Sequence, residues 1–479
     1  MKRPTLESVT TTRWYPAILF GIVFVLHLPA FFSPVFDNDE AYIATVARVL
    51  DHGGTLYVDA VDRKPPGVFY LYEWIFTALH TNALWAPRML AVVAQAVTAI
   101  LVWQIANRRF GPRAGAIAGL LSAIATTTLL PADAQSANFE VFMMPLVTGA
   151  FLLADRDRPA EAGFALGVAT MMKQTAATTL LPLAWMAWRA KRWVGLLLLG
   201  VTFAVPIVFC LLVFGPHEFW FWVFGGANGG YLDIGGGLSM VLLRLVWVTG
   251  LIAVLNIGIL MFLPRAWRSR RDDLDLWLWV ISAAIGVLSG TRFFGHYYWQ
   301  LLAPLCVLAG RGIATASPRM IKRSFLALGS AALIVVLAAF AMPVVTPNDH
   351  FQKLADYAKE HTRPDDRIFV WGHLPSVYWA SNRLPASRVV TTGFLTGHTA
   401  ARPSDEVGMS AAVPGIWTDV MADLNGNPPV LIFDALGAED TDSADYPIAK
   451  FPPMEKFIDE HYHLVDVIDR TLVYRLNGS

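Results

Sequence analysis

The chain is poor in cysteine and poor in charge. Its only two cysteines, Cys210 and Cys306, lie inside apolar runs, so neither a disulfide framework nor a cysteine-type zinc site is available. Charged residues make up 15% of the 479 residues and hydrophobic ones 55%. That balance is too apolar for a soluble domain of this size and calls for several membrane-spanning helices. No glycine-rich phosphate loop occurs, which argues against a nucleotide-linked substrate. No internal repeat is visible, which argues against the paired halves of many transporters. Net charge is zero, and no nucleic-acid partner is expected.

The charge that is present divides the chain. From residue 344 onward there are 11 Lys/Arg against 19 Asp/Glu, and before it 26 against 18. A basic, apolar region (1–343) thus precedes an acidic tail (344–479), and the two are expected to be a transmembrane domain and a small soluble α/β domain. Apolar spans lie near 15–35, 88–106, 114–131, 139–154, 194–214, 239–263, 274–291, 297–312 and 324–343. The first reads as an uncleaved helix, not a signal peptide. Residues 161–188 are too long for one crossing, contain Lys173 and Pro182, and read as two short helices. Basic residues cluster at 108–113, 156–158, 189–192, 265–271 and 319–323. Placed on the cytoplasmic side, they give about eleven crossings, with residues 36–87 and the C-terminal domain outside the cytoplasm. The expected location is therefore the cell membrane, multi-pass.

Chemistry concentrates in the first outer loop. Asp37-Asn38-Asp39-Glu40-Ala41-Tyr42 follows the first span, and Arg63-Lys64-Pro65-Pro66-Gly67 follows about two dozen residues later. Residues 40–51 read as a short amphipathic helix in the membrane interface, with Asp39 at its start, where backbone N–H groups favour an ionised carboxylate. Alone, Asp39 would be read as a cap and Lys64 as a snorkelling lysine. Together, at one membrane face, a carboxylate group and a cationic turn stiffened by two prolines suggest chemistry on a membrane-borne anion. Asp133 and Glu140 lie in the next outer turn. Lys173 is an intramembrane cation, which costs ~2.5–3.5 kcal/mol to insert and is therefore a functional candidate. Arg292 and His296 stand in an aromatic stretch through Tyr297, between two late spans.

These residues resemble those of the GT-C glycosyltransferases. The resemblance rests on Asp39-Glu40-Ala41-Tyr42, Lys64-Pro65-Pro66, Met172-Lys173-Gln174 and Gly295-His296-Tyr297-Tyr298, and covers roughly residues 15–315. It is strongest toward the family-39 branch of aminoarabinose and lipopolysaccharide sugar transferases, related to protein O-mannosyltransferases. It implies a polytopic helical fold with juxtamembrane helices in the first outer loop. It also implies an inverting enzyme that uses a polyprenyl-phosphate sugar and acts on the outer face, on a glycan, lipid or protein acceptor. Carried over, Asp39 is the base and Glu40 its neighbour. Lys64 is a donor-phosphate ligand, with Arg63, Lys173 and Arg292 as further phosphate candidates. Tyr42, Asp133, Glu140, His296 and Tyr297 are candidates for substrate contact. Some relatives hold a divalent cation on loop carboxylates, so such a cofactor is compatible with Asp39, Glu40, Asp133 and Glu140, although no metal ligand set is assigned.

The chemistry agrees with this inventory. A lipid phosphate leaves as a stabilised anion and needs cations, not a general acid, while the acceptor hydroxyl needs one ionised carboxylate. Glycoside hydrolysis needs a second carboxyl group. The tail is expected to hold strands at 367–371, 430–433, 464–468 and 472–475, the last two joined as a hairpin across Asp469-Arg470, and helices at 351–361, 376–381, 416–424 and 454–461. Its histidines lack the compact spacing of a metal site. The rival reading is a transporter or flippase for a lipid-linked sugar, favoured by Lys173 and the short helices. A non-catalytic scaffold leaves Asp39 and Lys64 unexplained.

Overall fold

A computed structural model describes residues 13–229, 237–345, 350–399, 404–435 and 446–478. The chain forms two compact units. One comprises Met1–Phe36, Pro87–Cys210 and Leu242–Pro343, and the other Asp37–Ala86, Leu211–Val241 and Val344–Ser479.

The first unit is helical. Helix Tyr15–Leu26 buries only Tyr15, Leu19 and Val23 among Val92, Ala96, Ala99, Ala116 and Ala123, one four-residue-spaced stripe. Its Tyr15 hydroxyl donates to Ala116 O at 2.5 Å. Helices Pro112–Ala125, Phe139–Ala154 and Trp299–Ala314 are buried over most of their length, whereas helix Leu180–Phe214 is one-sided. Trp193, Leu197, Val201, Val205 and Phe209 recur at four-residue spacing on helix Leu180–Phe214, and all are exposed. A continuous apolar face of this kind is stable only against lipid or a partner. Among the described residues, four helices are long and apolar enough to cross a membrane by length and composition: Trp85–Phe110, Gln174–Phe214, Leu238–Leu255 and Pro318–Pro343. Shorter apolar helices include Pro112–Ala125, Phe139–Ala154 and Leu274–Leu288. The protein is a multi-pass membrane protein.

The stretch read as two short helices is broken as its composition demands. Helix Pro159–Met172 stops at Lys173, whose backbone is extended (φ −154°, ψ 130°). A 3-10 turn, Gln174–Thr179, follows, then helix Leu180–Phe214, itself interrupted at Lys191 and Arg192. Gly163 and Gly167 allow the first of these helices to lie directly on the backbone of Leu199 and Phe203. A Cβ on either glycine would collide with those carbonyl oxygens, the close-approach role that small residues play between membrane helices. At one end of the unit the basic residues are partly neutralised. Arg109 pairs with Asp155 (2.7 Å) and Asp275 (2.5 Å), and Arg311 grips Asp273 with two bonds of 2.5 and 2.7 Å.

The second unit joins the first loop to the C-terminal region. Its sheet runs in the order β1-β2-β4-β3, with β1 Ile368–Trp371, β2 Leu431–Asp434, β3 Tyr462–Ile468 and β4 Thr471–Leu476. Strands β1 and β2 are parallel; β2–β4 and β4–β3 are antiparallel. The hairpin turn is the expected pair, Asp469 (φ 44°) and Arg470 (φ 68°), both left-handed as a two-residue turn between twisted strands requires.

Helix Asn38–Asp51 differs from its sequence reading. It is buried from Glu40 to Leu50, including Glu40 and Arg48; it does not lie in the interface with a wet polar face. The polar side is covered by the C-terminal region. Thr45 Oγ1 donates to Pro375 O at 3.3 Å, Arg48 Nη2 to Asn382 O at 3.3 Å, and Asn38 Nδ2 to His373 O at 3.2 Å. Nearby, Val61 N donates to Arg388 O at 3.0 Å and Trp379 Nε1 to Asn82 O at 2.8 Å.

Candidate active site

The sequence-predicted residues fall into two constellations, one in each unit. The first-loop constellation begins with a correction. The cap of helix Asn38–Asp51 is Asp37, not Asp39. The Asp37 side chain accepts from Asp39 N at 3.0 Å, which places Asp39 and Glu40 in the first turn. The spacing of Asp37 and Glu40 is that of a capping box, a signal the sequence carried. The correction leaves the electrostatics intact, since a first-turn carboxylate still meets the positive end of the helix dipole. Asp39 is partly exposed, whereas Glu40 is fully buried.

Tyr42 ties this helix to the cationic turn. Its hydroxyl donates to Val61 O at 2.8 Å. Burial, then the neighbouring Asp62 carboxylate, hold its phenol well above its ordinary range, so it stays a neutral donor. Asp62, which sequence reasoning missed, organises the turn. Its Oδ1 accepts from Lys64 N at 2.8 Å and lies 3.8 Å from Lys64 Nζ. Tyr57, held at φ 71°, donates to Lys64 O at 2.8 Å. Pro65 and Pro66 then lead directly into helix Gly67–Leu79. Lys64 is partly exposed, so it keeps a wet cationic head on a fixed backbone. Arg63 Nε donates to Ala227 O at 2.6 Å.

The second constellation lies in the first unit. Asp133, on helix Pro131–Gln135, receives two bonds from a residue 163 positions away: His296 N and His296 Nδ1 both reach its Oδ1 at 2.8 Å. Trp299 Nε1 donates to the Asp133 carbonyl at 3.3 Å. Gly295 is required here, since a Cβ would overlap the Asp133 carboxylate. Glu140, in the first turn of helix Phe139–Ala154, is fully buried and paired with Lys173. Its Oε2 has no hydrogen-bond partner among the described residues. Lys173 Nζ also lies 4.2 Å from the Tyr297 ring centroid, and that ring meets His296 edge-on at 4.9 Å. The two charge pairs therefore share one aromatic wall.

His296 sits in the 3-10 turn Gly295–Tyr298. Burial works against its charge, but the Glu140 carboxylate and the Asp133 bond outweigh it and raise the imidazole to about 9, so it is a cation at neutral pH. Arg292 is buried in the preceding loop, between Thr291 (φ 54°) and Phe293 (φ 50°). Left-handed backbone at a β-branched and an aromatic residue is strained, and such strain clusters at functional sites.

The comparisons with known proteins agree with this architecture. Residues 63–220 match the family described as dolichyl-phosphate-mannose-protein mannosyltransferase. No curated protein sequence matches the chain. Among solved structures, the chain is similar to ArnT from Cupriavidus metallidurans bound to undecaprenyl phosphate, with 14% identity, TM-score 0.67, and coverage of 98% of this chain and 99% of that one. It is also similar to the Archaeoglobus fulgidus oligosaccharyltransferase AglB in complex with an inhibitory peptide and a dolichol-phosphate. There the identity is 13%, the TM-score 0.54, and the coverage 98% and 75%. The crystal structure of that oligosaccharyltransferase tethered to an acceptor peptide matches at 12% identity and TM-score 0.54, covering 95% and 72%.

Proposed function

We propose, from the premise that this chain is a member of the GT-C superfamily of glycosyltransferases, that it moves a sugar from a polyprenyl-phosphate donor to a hydroxyl group on the extracytoplasmic face. The acceptor class is an envelope glycan, glycolipid or protein. Region 1–343 carries the transmembrane catalytic part and 344–479 the extracytoplasmic domain. The similar structures hold undecaprenyl phosphate or dolichol-phosphate, which supports a lipid-phosphate donor.

One observation carries the reading. A single folded unit holds carboxylates at a helix start and an Arg63-Lys64 turn, and joins them through Tyr42 and Val61. That pairs a base with cations suited to a leaving phosphate. Asp39, ionised at the helix start, accepts the proton of the acceptor hydroxyl as its oxygen attacks the anomeric carbon. The bond from that carbon to the phosphate oxygen breaks with its electron pair staying on the phosphate. The configuration inverts because attack and departure occur on opposite faces. Lys64, with Arg63, stabilises the dianionic phosphate that develops, and Lys173 and Arg292 add cationic candidates in the first unit. Glu40 supports Asp39. Asp133, His296 and Tyr297 are the candidates for contact with substrate hydroxyls, and Glu140, fully buried, bears on substrate through its pair with Lys173. Proton transfer and phosphate departure in this scheme use side chains alone. Lys173, which the transporter reading relies on, is ion-paired with Glu140.

The test is transfer from a purified polyprenyl-phosphate sugar. Asp39→Asn is expected to abolish turnover while undecaprenyl-phosphate binding persists. Near-normal turnover in this variant would rule out Asp39 as the base.

A further inference from the structure

Arg63 stands in surroundings built by segments far apart in sequence, all within the second unit. Besides its bond to Ala227 O, its guanidinium carbon lies 4.7 Å from the centroid of the Phe394 ring. Both contacts are themselves held. Asn228 Nδ2 donates to Trp222 O and to Val223 O, each at 3.0 Å, which fixes the turn presenting the Ala227 carbonyl. The Trp222 ring meets Phe394 edge-on at 5.8 Å and 83°. Phe394 belongs to the one-turn helix Gly393–Thr396. That turn is pinned by Trp417 Nε1 donating to Leu395 O at 2.9 Å and by Val413 N donating to Phe394 O at 2.9 Å.

Phe394 is buried and projects its ring onto the Arg63 guanidinium. The ring supplies a flat, electron-rich face that orients a guanidinium, and an arginine ordered before the ligand arrives spares binding the entropy of ordering it. We propose that Phe394 is a positioning residue for the donor phosphate. The C-terminal domain, through the Gly393–Thr396 turn, sets the Arg63 side chain for an anionic lipid headgroup. This rests on the donor reading above and adds a role for the C-terminal domain within it.

The experiment measures undecaprenyl-phosphate binding to the purified full-length protein in detergent. Phe394→Leu keeps apolar volume and removes the ring. It is expected to weaken binding about two- to thirty-fold, the range a cation–π contact spans, and to raise donor KM more than it lowers kcat. Phe394→Tyr keeps the ring and is expected to bind as wild type. In an Arg63→Ala background, Phe394→Leu is expected to add no further loss. Wild-type binding in Phe394→Leu would overturn the proposal. So would an equal loss in both backgrounds, because the ring would then serve the fold and not Arg63. If the wild-type protein itself failed to bind undecaprenyl phosphate, the donor reading would fall first, and this inference with it.

Discussion

Lys173→Met isolates the charge pair at the centre of the first unit. Glu140 has no exposed side-chain surface and Lys173 only 8%. Removing the ammonium therefore strands a carboxylate that water cannot reach. Breaking one side of such a pair typically costs about 3–5 kcal/mol, and loss of the cation–π contact with Tyr297 contributes up to about 2 kcal/mol of that. Methionine nearly conserves the apolar stem, so packing is a minor part. The double variant Glu140→Gln/Lys173→Met leaves no buried charge and is expected to recover most of the loss. Reversible unfolding in detergent micelles, run as a double-mutant cycle, reads both values. The same proteins then separate stability from chemistry. A stable double variant that no longer transfers sugar places the Glu140–Lys173 pair in the reaction. One that still transfers confines the pair to the fold. Unchanged stability in Lys173→Met alone would refute the reasoning, since Glu140 would then not be an ionised group dependent on this lysine.

Lys64→Ala is expected to lower kcat as well as donor affinity, with a loss in kcat of about 10²–10³, the scale for removing one transition-state stabilising donor. Lys64→Arg should rescue it only in part, because a planar fork cannot occupy the position of an ammonium; unchanged kinetics in Lys64→Ala would move the phosphate site toward Lys173 and Arg292. His296 has a raised value in the fold, about 9, so its contribution to stability is full below about 6.5 and is lost as pH rises through about 9. Unfolding of wild type and His296→Gln at pH 6 and pH 10 should show a stability gap at the lower pH that closes at the higher, and a constant gap would contradict the assignment. A reporter fused after Ser479 should be active only outside the cytoplasm, and a cytoplasmic signal would undo the two-crossing reading of the segment around Lys173.

What the sequence made legible was mostly local. The Asp469-Arg470 turn was readable because two-residue turns tolerate few residue types, and the four strands were readable as short, β-branched or aromatic apolar runs. The break near Lys173 was readable from a cation in an apolar run. The burial of Arg48 was not, because its partner carbonyl at Asn382 lies 334 positions away and the wheel of residues 40–51 still looks amphipathic. The Asp133–His296 pair was likewise invisible as a pair, although each member stood out alone. Asp37 was overlooked in favour of Asp39, although the capping-box spacing to Glu40 was present.

The cover over helix Asn38–Asp51 has a consequence for biogenesis. The helix emerges early, yet the groups that satisfy Thr45 and Arg48, at Pro375 and Asn382, are synthesised more than three hundred residues later. At ordinary elongation rates that interval is roughly 15–70 s. During it helix Asn38–Asp51 lacks the carbonyl partners of Thr45 and Arg48, which makes it a natural client for a chaperone. A chain arrested before the C-terminal region would thus carry its apolar helices and still lack the cover of helix Asn38–Asp51.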